Sequence, residues 1–395
     1  MDVKPVDVKP VDVHHGDRTV APPPPLRLGP IVVDPPVVLA PMAGVTNVAF
    51  RRLCRSYGGG LFVSEMIAAR ALLEDNPKTR RMASFAPDEP VRSIQLYGVD
   101  PDVMTAAVRH LVDEDGADHI DLNFGCPAAK VTRKGGGAAL PAHPLLFRSI
   151  VRAAVTAAGA VPITIKMRLG IDAENLTALA AAAIAEDEGA AAITVHARTA
   201  EQLYSGKAHW AAIGEVKAAV TSIPVLGNGD LWQAHDAIDM MAETGCDGVV
   251  IGRGCLGRPW LFRDLAAALR NEPTPAPPSL REVCAIMGEH AVLLCNALGE
   301  FAAMNDFRKH VDWYLAGFPV GRKGRSALTS VTSLTELCGR LDDVGRRDMA
   351  FPSDALAMTR GPRNGPRRVA LPERWLATTE DPNPPAGAEA FASGG

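Results

Sequence analysis

The chain has 395 residues, of which 47% are hydrophobic, 22% charged and 5% aromatic. It is long enough to bury a large core and too long for one average domain. Its 41 Lys and Arg against 45 Asp and Glu leave a charge of −4, without the global basic signature of a nucleic-acid binder. The seven cysteines are scattered, with no CxxC and no zinc-like Cys/His spacing. No disulfide framework and no metal site are expected, and a reducing cytoplasm is the expected location. The N-terminus lacks the order of a signal peptide. No apolar run approaches the ~18 residues of a membrane span.

In chain order, residues 1–28 begin with a repeated DVKPV and a run of prolines. Such a segment buries little and is expected to be a disordered tail. Eight short apolar runs follow, at 37–40, 61–64, 92–96, 119–122, 163–166, 192–196, 224–226 and 248–251. Helical stretches separate them, with LTALAAAAIA at 176–185 the clearest. Strands alternating with helices give βαβ units and a parallel sheet. Eight such units within 29–270 fit an α/β TIM (β/α)8 barrel. A doubly wound sheet is the alternative, but it would want GxGxxG after the first strand, where APMAGVT stands. After a Pro-rich linker, 279–345 reads as a small all-helical domain. From 351 to 395 the sequence is rich in Pro, Gly, Ala and Arg and is expected to be a second disordered tail.

A barrel carries its active site at the C-terminal strand ends. Those ends hold Pro41-Met42-Ala43, Glu65, Gln95, Asn123 followed by Cys126, Lys166 and Arg168, His196 and Arg198, Asn228-Gly229-Asp230, and Gly252-Arg253. A barrel built only for stability needs no such polar set, so a polar ligand site is expected. GNGD and IGRG are glycine-bearing turns after strands seven and eight, where barrels bind phosphate with backbone N–H groups. Arg253 adds charge there.

These motifs resemble the tRNA-dihydrouridine synthase family, flavin enzymes that reduce uridine in tRNA. The strings are APMAGVTNVAFR (40–51), VSEM (63–66), QLYG (95–98), DLNFGCPAAKV (121–131), IKMRLG (165–170), TVHARTAEQLYSGKAHW (194–210), PVLGNGD (224–230) and DGVVIGRGCLGRPWLF (247–262). The likeness continues more weakly through FRKHVDWYLAGF (307–318), and the helical part looks most like the bacterial B-type branch. The departures are Asn47 where Asp is more usual, and a loop RKGGGAAL lacking a Ser near its Ala pair.

The resemblance implies FMN as the bound phosphate compound and NADPH, or NADH, as reductant. It places Pro41, Met42 and Ala43 against the flavin ring, with Gln95 and Lys166 at its polar edge and His196 beside it. Asn228, Gly229, Asp230, Gly252 and Arg253 then hold the phosphate end. The C5=C6 bond of uracil is conjugated to a carbonyl, so it accepts hydride at C6 and then needs a proton at C5. Cys126 is the candidate acid, because an ordinary thiol is mostly protonated at neutral pH.

Asn123, Arg168 and Arg198 are expected to face the substrate. Residues 301–375 hold 13 Lys and Arg against 8 Asp and Glu, a local +5. There Arg308, Lys309, Arg322, Lys323 and Arg325 form the candidate tRNA-docking surface. A monomer is expected. The competing readings are an FMN barrel reductase of a free pyrimidine or small enone, an RNA-binding barrel without catalysis, and a non-flavin barrel isomerase.

Overall fold

A computed structural model describes residues 21–361 and 364–388. The reading of the first twenty residues, and of the chain end past Ala388, lies outside the described residues. The strands are β1 (Leu26–Leu28), β2 (Ile31–Val33), β3 (Val37–Leu39), β4 (Leu61–Phe62), β5 (Met66–Ala68), β6 (Ser93–Tyr97), β7 (His119–Phe124), β8 (Ile163–Arg168), β9 (Ala192–His196), β10 (Val225–Asn228) and β11 (Gly248–Ile251). The last nine form one parallel sheet in the order β4-β3-β11-β10-β9-β8-β7-β6-β5.

The two ends of that order, β4 and β5, are consecutive in the chain. They are halves of one strand, and the barrel closes through it. Ser64, between the halves, donates its backbone N–H to the Ser93 carbonyl at 3.1 Å. The expected second strand at 61–64 is thus shorter there and resumes beyond Glu65.

Alternation along the strands sorts the apolar side chains. Val37 and Leu39 pack outward against helices, whereas Val38, Leu226 and Val250 point into the barrel. The hairpin β1–β2 adds Leu26, Leu28, Ile31 and Val33 to that inner cluster. Gly29 lies against Pro162, just before β8, so the hairpin plugs the N-terminal mouth. Among the described residues the first strand is thus at Leu26–Leu28, inside the segment expected to be tail, because four alternate apolar residues at 26–33 find a barrel floor to fill.

The barrel helices are α1 (Val48–Arg55), α2 (Ala69–Leu73), α3 (Pro77–Met82), α4 (Pro101–Asp113), α5 (Ala129–Thr132), α6 (Pro144–Ala158), α7 (Ala178–Asp187), α8 (Ala211–Ala219), α9 (Ala234–Thr244) and α10 (Leu261–Leu269). Four more follow: α11 (Leu280–Leu298), α12 (Glu300–Tyr314), α13 (Gly321–Thr329) and α14 (Leu334–Gly345). Ser279 and Glu282 form a capping box that starts α11. Val283, Met287, Phe307 and Val311 of these helices share one core with Ala49 and Leu53 of α1 and with Trp260. The helical unit is thereby fixed to one side of the barrel.

The segment after Phe351 contains two short 3-10 turns, Ser353–Ala355 and Trp375–Ala377. Contrary to the tail expectation, its described part does not leave the fold. Phe351, Ala355, Arg360, Trp375 and Ala388 are buried. The one Trp of this segment, set among Pro and Gly, finds a partner 236 residues back in the chain, and Arg360 bonds the Leu256 and Trp313 carbonyls.

Beside the first strand, the Arg51 guanidinium donates to Glu89 at 2.7 and 3.0 Å, and to the Thr46 and Ser84 carbonyls. Both side chains are buried. Removing one partner leaves an uncompensated charge. Glu89→Ala is predicted to cost about 3–5 kcal/mol in urea unfolding. A loss below about 1 kcal/mol, the range of an exposed pair, would contradict the burial argument.

Candidate active site

The C-terminal ends of the strands surround a cleft of about 520 Å³, counted to its open mouth. Pro41 and Met42 line one side, Lys166, His196 and Asn228 the floor, and Gly229, Asp230, Gly252, Arg253 and Gly254 the far end. The sequence-predicted flavin residues thus converge, except that Ala43 is exposed at the rim and Gln95 is buried below the floor.

The floor is a polar ladder. Asp121, buried on β7, accepts from Thr164 Oγ1 and Gln95 Nε2, both at 2.6 Å. Gln95 Oε1 accepts from Asn123 Nδ2 at 2.8 Å. Asn123 Oδ1 in turn accepts the backbone N–H groups of Gly125 and Cys126 at 3.1 and 2.8 Å. Asn123 is therefore the cap that shapes the loop carrying Cys126. Cys126 is partly exposed, two residues past the C-terminal end of β7. Burial pushes it above its ordinary value of 9.0, so it stays protonated at neutral pH.

Burial also acts on the bases. It raises Asp121 to about 6. It lowers Lys166 to about 8, with Arg168 adding to the effect and Asp121 opposing it. At neutral pH both remain charged, and the Lys166 ammonium reaches Asn228 Oδ1 at 3.2 Å. Asn228 donates to the Val250 carbonyl at 2.6 Å. His196 is held well below its ordinary value, first by burial and then by Arg168, so its ring is neutral.

The far end is tight because two turns meet at glycines. Gly229 has φ +127°, and a Cβ on it would come 2.8 Å from the Ala208 methyl. A Cβ on Gly254 would lie 2.0 Å from the Leu231 carbonyl oxygen. Cys255 is buried and donates to the Gly252 carbonyl at 3.2 Å, behind this turn. The Arg253 guanidinium stands 4.1 Å from the centre of the Tyr204 ring and 5.1 Å from that of Trp232. Both aromatics line the cleft, and strand-end reading missed them. Tyr204 lies eight residues beyond β9, where no strand-end rule points; the TAEQLYSG string was its only signal.

The expected substrate-facing arginines are more committed than their charge suggested. Arg168 donates to the Gly125, Thr199 and Leu203 carbonyls at 2.8–2.9 Å. Arg198 is buried, grips Asp230 at 2.7 Å and bonds the Ser205 and Gly206 carbonyls. Asp230 also takes the Ala208 N–H at 2.7 Å, so this pair folds the Tyr204 loop over the cleft. In the helical unit, Lys309 pairs with Asp306 at 2.6 Å and sits 3.8 Å from the Cβ position of Gly44, at the barrel rim. Gly44 donates its N–H to Glu65, which the strand-end reading placed in the polar set without giving it a role. Arg308, Arg322 and Lys323 are exposed, whereas Arg325 holds Asp312 and the Leu315 carbonyl. Among the described residues no group of His, Cys, Asp and Glu is arranged to hold a metal ion, and no helix is long and apolar enough to cross a membrane.

The family profile described as dihydrouridine synthase (Dus) matches residues 38–348. A probable tRNA-dihydrouridine synthase of Mycobacterium tuberculosis is 53% identical, over 96% of this chain and 99% of that protein. The tRNA-dihydrouridine synthase B of Shewanella oneidensis is 40% identical over 73% of this chain and 89% of its own. That of Pseudomonas aeruginosa is 41% identical over 79% and 93%. The chain belongs to the dihydrouridine synthase family.

Proposed function

We propose that this protein reduces the C5=C6 bond of uridine in tRNA, using FMN in the cleft and NADPH or NADH as electron source. The observation that carries the reading is a cleft lined by Lys166 and Arg253 together with a protonated thiol, Cys126, that feels the Lys166 charge, in a chain of this family. The residues present fit FMN. The turns at Gly229 and Gly254 line the cleft and are packed too closely to carry a side chain, and Arg253 stands beside them. Pro41 and Met42 offer a flat apolar side. Lys166 offers a cation at the opposite end, for the polar edge of the ring.

Bound there, the reduced flavin supplies a hydride for C6 of uracil. The chain's own residues do the rest. Cys126 gives its S–H proton to C5 of the resulting enolate and is left as a thiolate, which is reprotonated from solvent. The Asp121–Gln95–Asn123 ladder fixes the loop from which that thiol projects. Neutral His196 offers a hydrogen bond without adding charge. A uridine stacked within tRNA must be extruded to reach the cleft, at a cost of a few kcal/mol. Lys309 at the rim, with exposed Arg308, Arg322 and Lys323, supports a phosphate-binding surface beside it. The rival that acts on a free pyrimidine does not call for this surface. A cytoplasmic monomer suits the reading.

Three outcomes follow from it. Cys126→Ala should keep its bound flavin and its reduction by NADPH while dihydrouridine formation falls at least about 100-fold; wild-type turnover on unmodified tRNA would remove Cys126 from the role of acid. The Lys166 ammonium is present below about 8 and lost as pH rises through it, whereas the thiol persists beyond 9.0. Activity should therefore decline through about pH 8, and Lys166→Arg should move that limb upward; an unmoved limb would contradict the assignment. Finally, tRNA binding should weaken steeply with salt, and Arg308→Ala or Lys323→Ala should each lower the log–log slope by about 1. A flat salt response would exclude this docking surface.

A further inference from the structure

Beyond residue 348, where the family match ends, the chain turns back over the barrel rim. Gly361 lies against Arg253, with its Cβ position 3.3 Å from Arg253 Cδ. Arg360 anchors this point, donating to the Trp313 carbonyl at 2.5 Å and the Ala355 carbonyl at 3.2 Å. Farther on, Arg367 donates its backbone N–H to the Glu201 carbonyl at 2.8 Å, in the loop after β9 that bears Tyr204.

Trp375 then enters the barrel core beside the loop after β7. Its Nε1 donates to the Ala139 carbonyl at 3.0 Å. Its ring stacks on His143, with centroids 3.5 Å apart, and His143 Nε2 bonds the Trp375 carbonyl at 2.8 Å. The segment 135–142 held under this indole touches Cys126 directly. Ala138 donates its N–H to the Cys126 carbonyl at 3.0 Å, and the Cβ position of Gly137 is 3.2 Å from Cys126 Cβ. Gly135 faces the Trp375 ring and Pro385, closer than any side chain could stand. The Cys126 loop is therefore held from two sides, by Asn123 within the barrel and by the C-terminal segment from outside.

We propose that residues 364–388 form a strap that positions the Cys126 loop, with Trp375 as the positioning residue. This rests on the reading of Cys126 as the proton donor. An indole seated between a histidine ring and glycine backbone restrains the loop by shape as well as by its hydrogen bond. A thiol displaced by about 1 Å loses its alignment with C5, while the flavin pocket, built by other strand ends, is untouched.

The test compares wild type with Trp375→Ala and Trp375→Phe, each purified with its flavin. Alkylation of Cys126 by iodoacetamide, followed by peptide mass spectrometry, should be about tenfold faster in Trp375→Ala. Flavin reduction by NADPH should be unchanged, and kcat for dihydrouridine should fall about tenfold with KM for tRNA little altered. Trp375→Phe, which keeps the stacking, should recover most of both. Hydrogen exchange of wild type needs no variant. The amides of Ala138, Ala139 and His143 should be as protected as the barrel core, and exchange at the rate of an exposed loop would overturn the strap. So would wild-type alkylation in Trp375→Ala. If wild-type protein forms no dihydrouridine, the functional reading fails, while alkylation and exchange still decide the strap.

Discussion

A carboxylate buried inside a barrel must be answered by donors, and Asp121 is the charge around which this site is ordered. It is acceptor-only when ionised, so the groups facing it must donate. Thr164 does so with its hydroxyl and Gln95 with its amide nitrogen. That choice fixes the Gln95 amide, whose oxygen is left to accept from Asn123. The Asn123 amide is then fixed as well, and its oxygen is left for the N–H groups of Gly125 and Cys126. One desolvated charge thus sets the sense of every hydrogen bond as far as the thiol loop. Lys166, near enough for Asp121 to favour its charged form, is kept cationic in a place where burial disfavours charge.

Closure of the sheet supplies the rest of the geometry. A parallel barrel puts all its C-terminal strand ends on one rim, and side chains far apart in sequence become neighbours. Lys166 and Asn228 meet at 3.2 Å across the ends of β8 and β10, which β9 separates in the sheet. The hairpin β1–β2 fills the opposite mouth with apolar side chains, and the polar groups lie at the C-terminal rim. The Arg198–Asp230 pair then folds the Tyr204 loop over the cleft, and Arg253 is flanked by Tyr204 and Trp232.

Much of this was legible because strand ends carry their chemistry next to the apolar runs that announce the strands. Lys166, His196, Asn228 and Arg253 were readable in that way, and the start of α11 was readable from the Pro-rich linker before it and its helical apolar spacing. The break in the second strand was not, since Val63–Ser64–Glu65 continues the same extended pattern. Nor was the fate of the arginines. Arg198 looks free to meet a phosphate until Asp230, 32 residues later, is found beside it. The strap was hidden for a related reason. Pro- and Gly-rich composition argues against regular structure, and it says nothing of a single Trp whose partner lies 236 residues earlier. Net charge failed as a guide to nucleic acid because it sums over surfaces that a ligand never meets together.

The account rests on a cleft that carries reducing equivalents to a uridine presented by folded RNA. Anaerobic mixing of the flavin-loaded, NADPH-reduced protein with unmodified tRNA, followed by flavin absorbance and by mass spectrometry of the digested nucleosides, tests this most directly. The account predicts that flavin is reoxidised in step with dihydrouridine formation, and that free uridine does neither. Equal reoxidation by free uridine, or a flavin that stays reduced while tRNA remains unmodified, would contradict it.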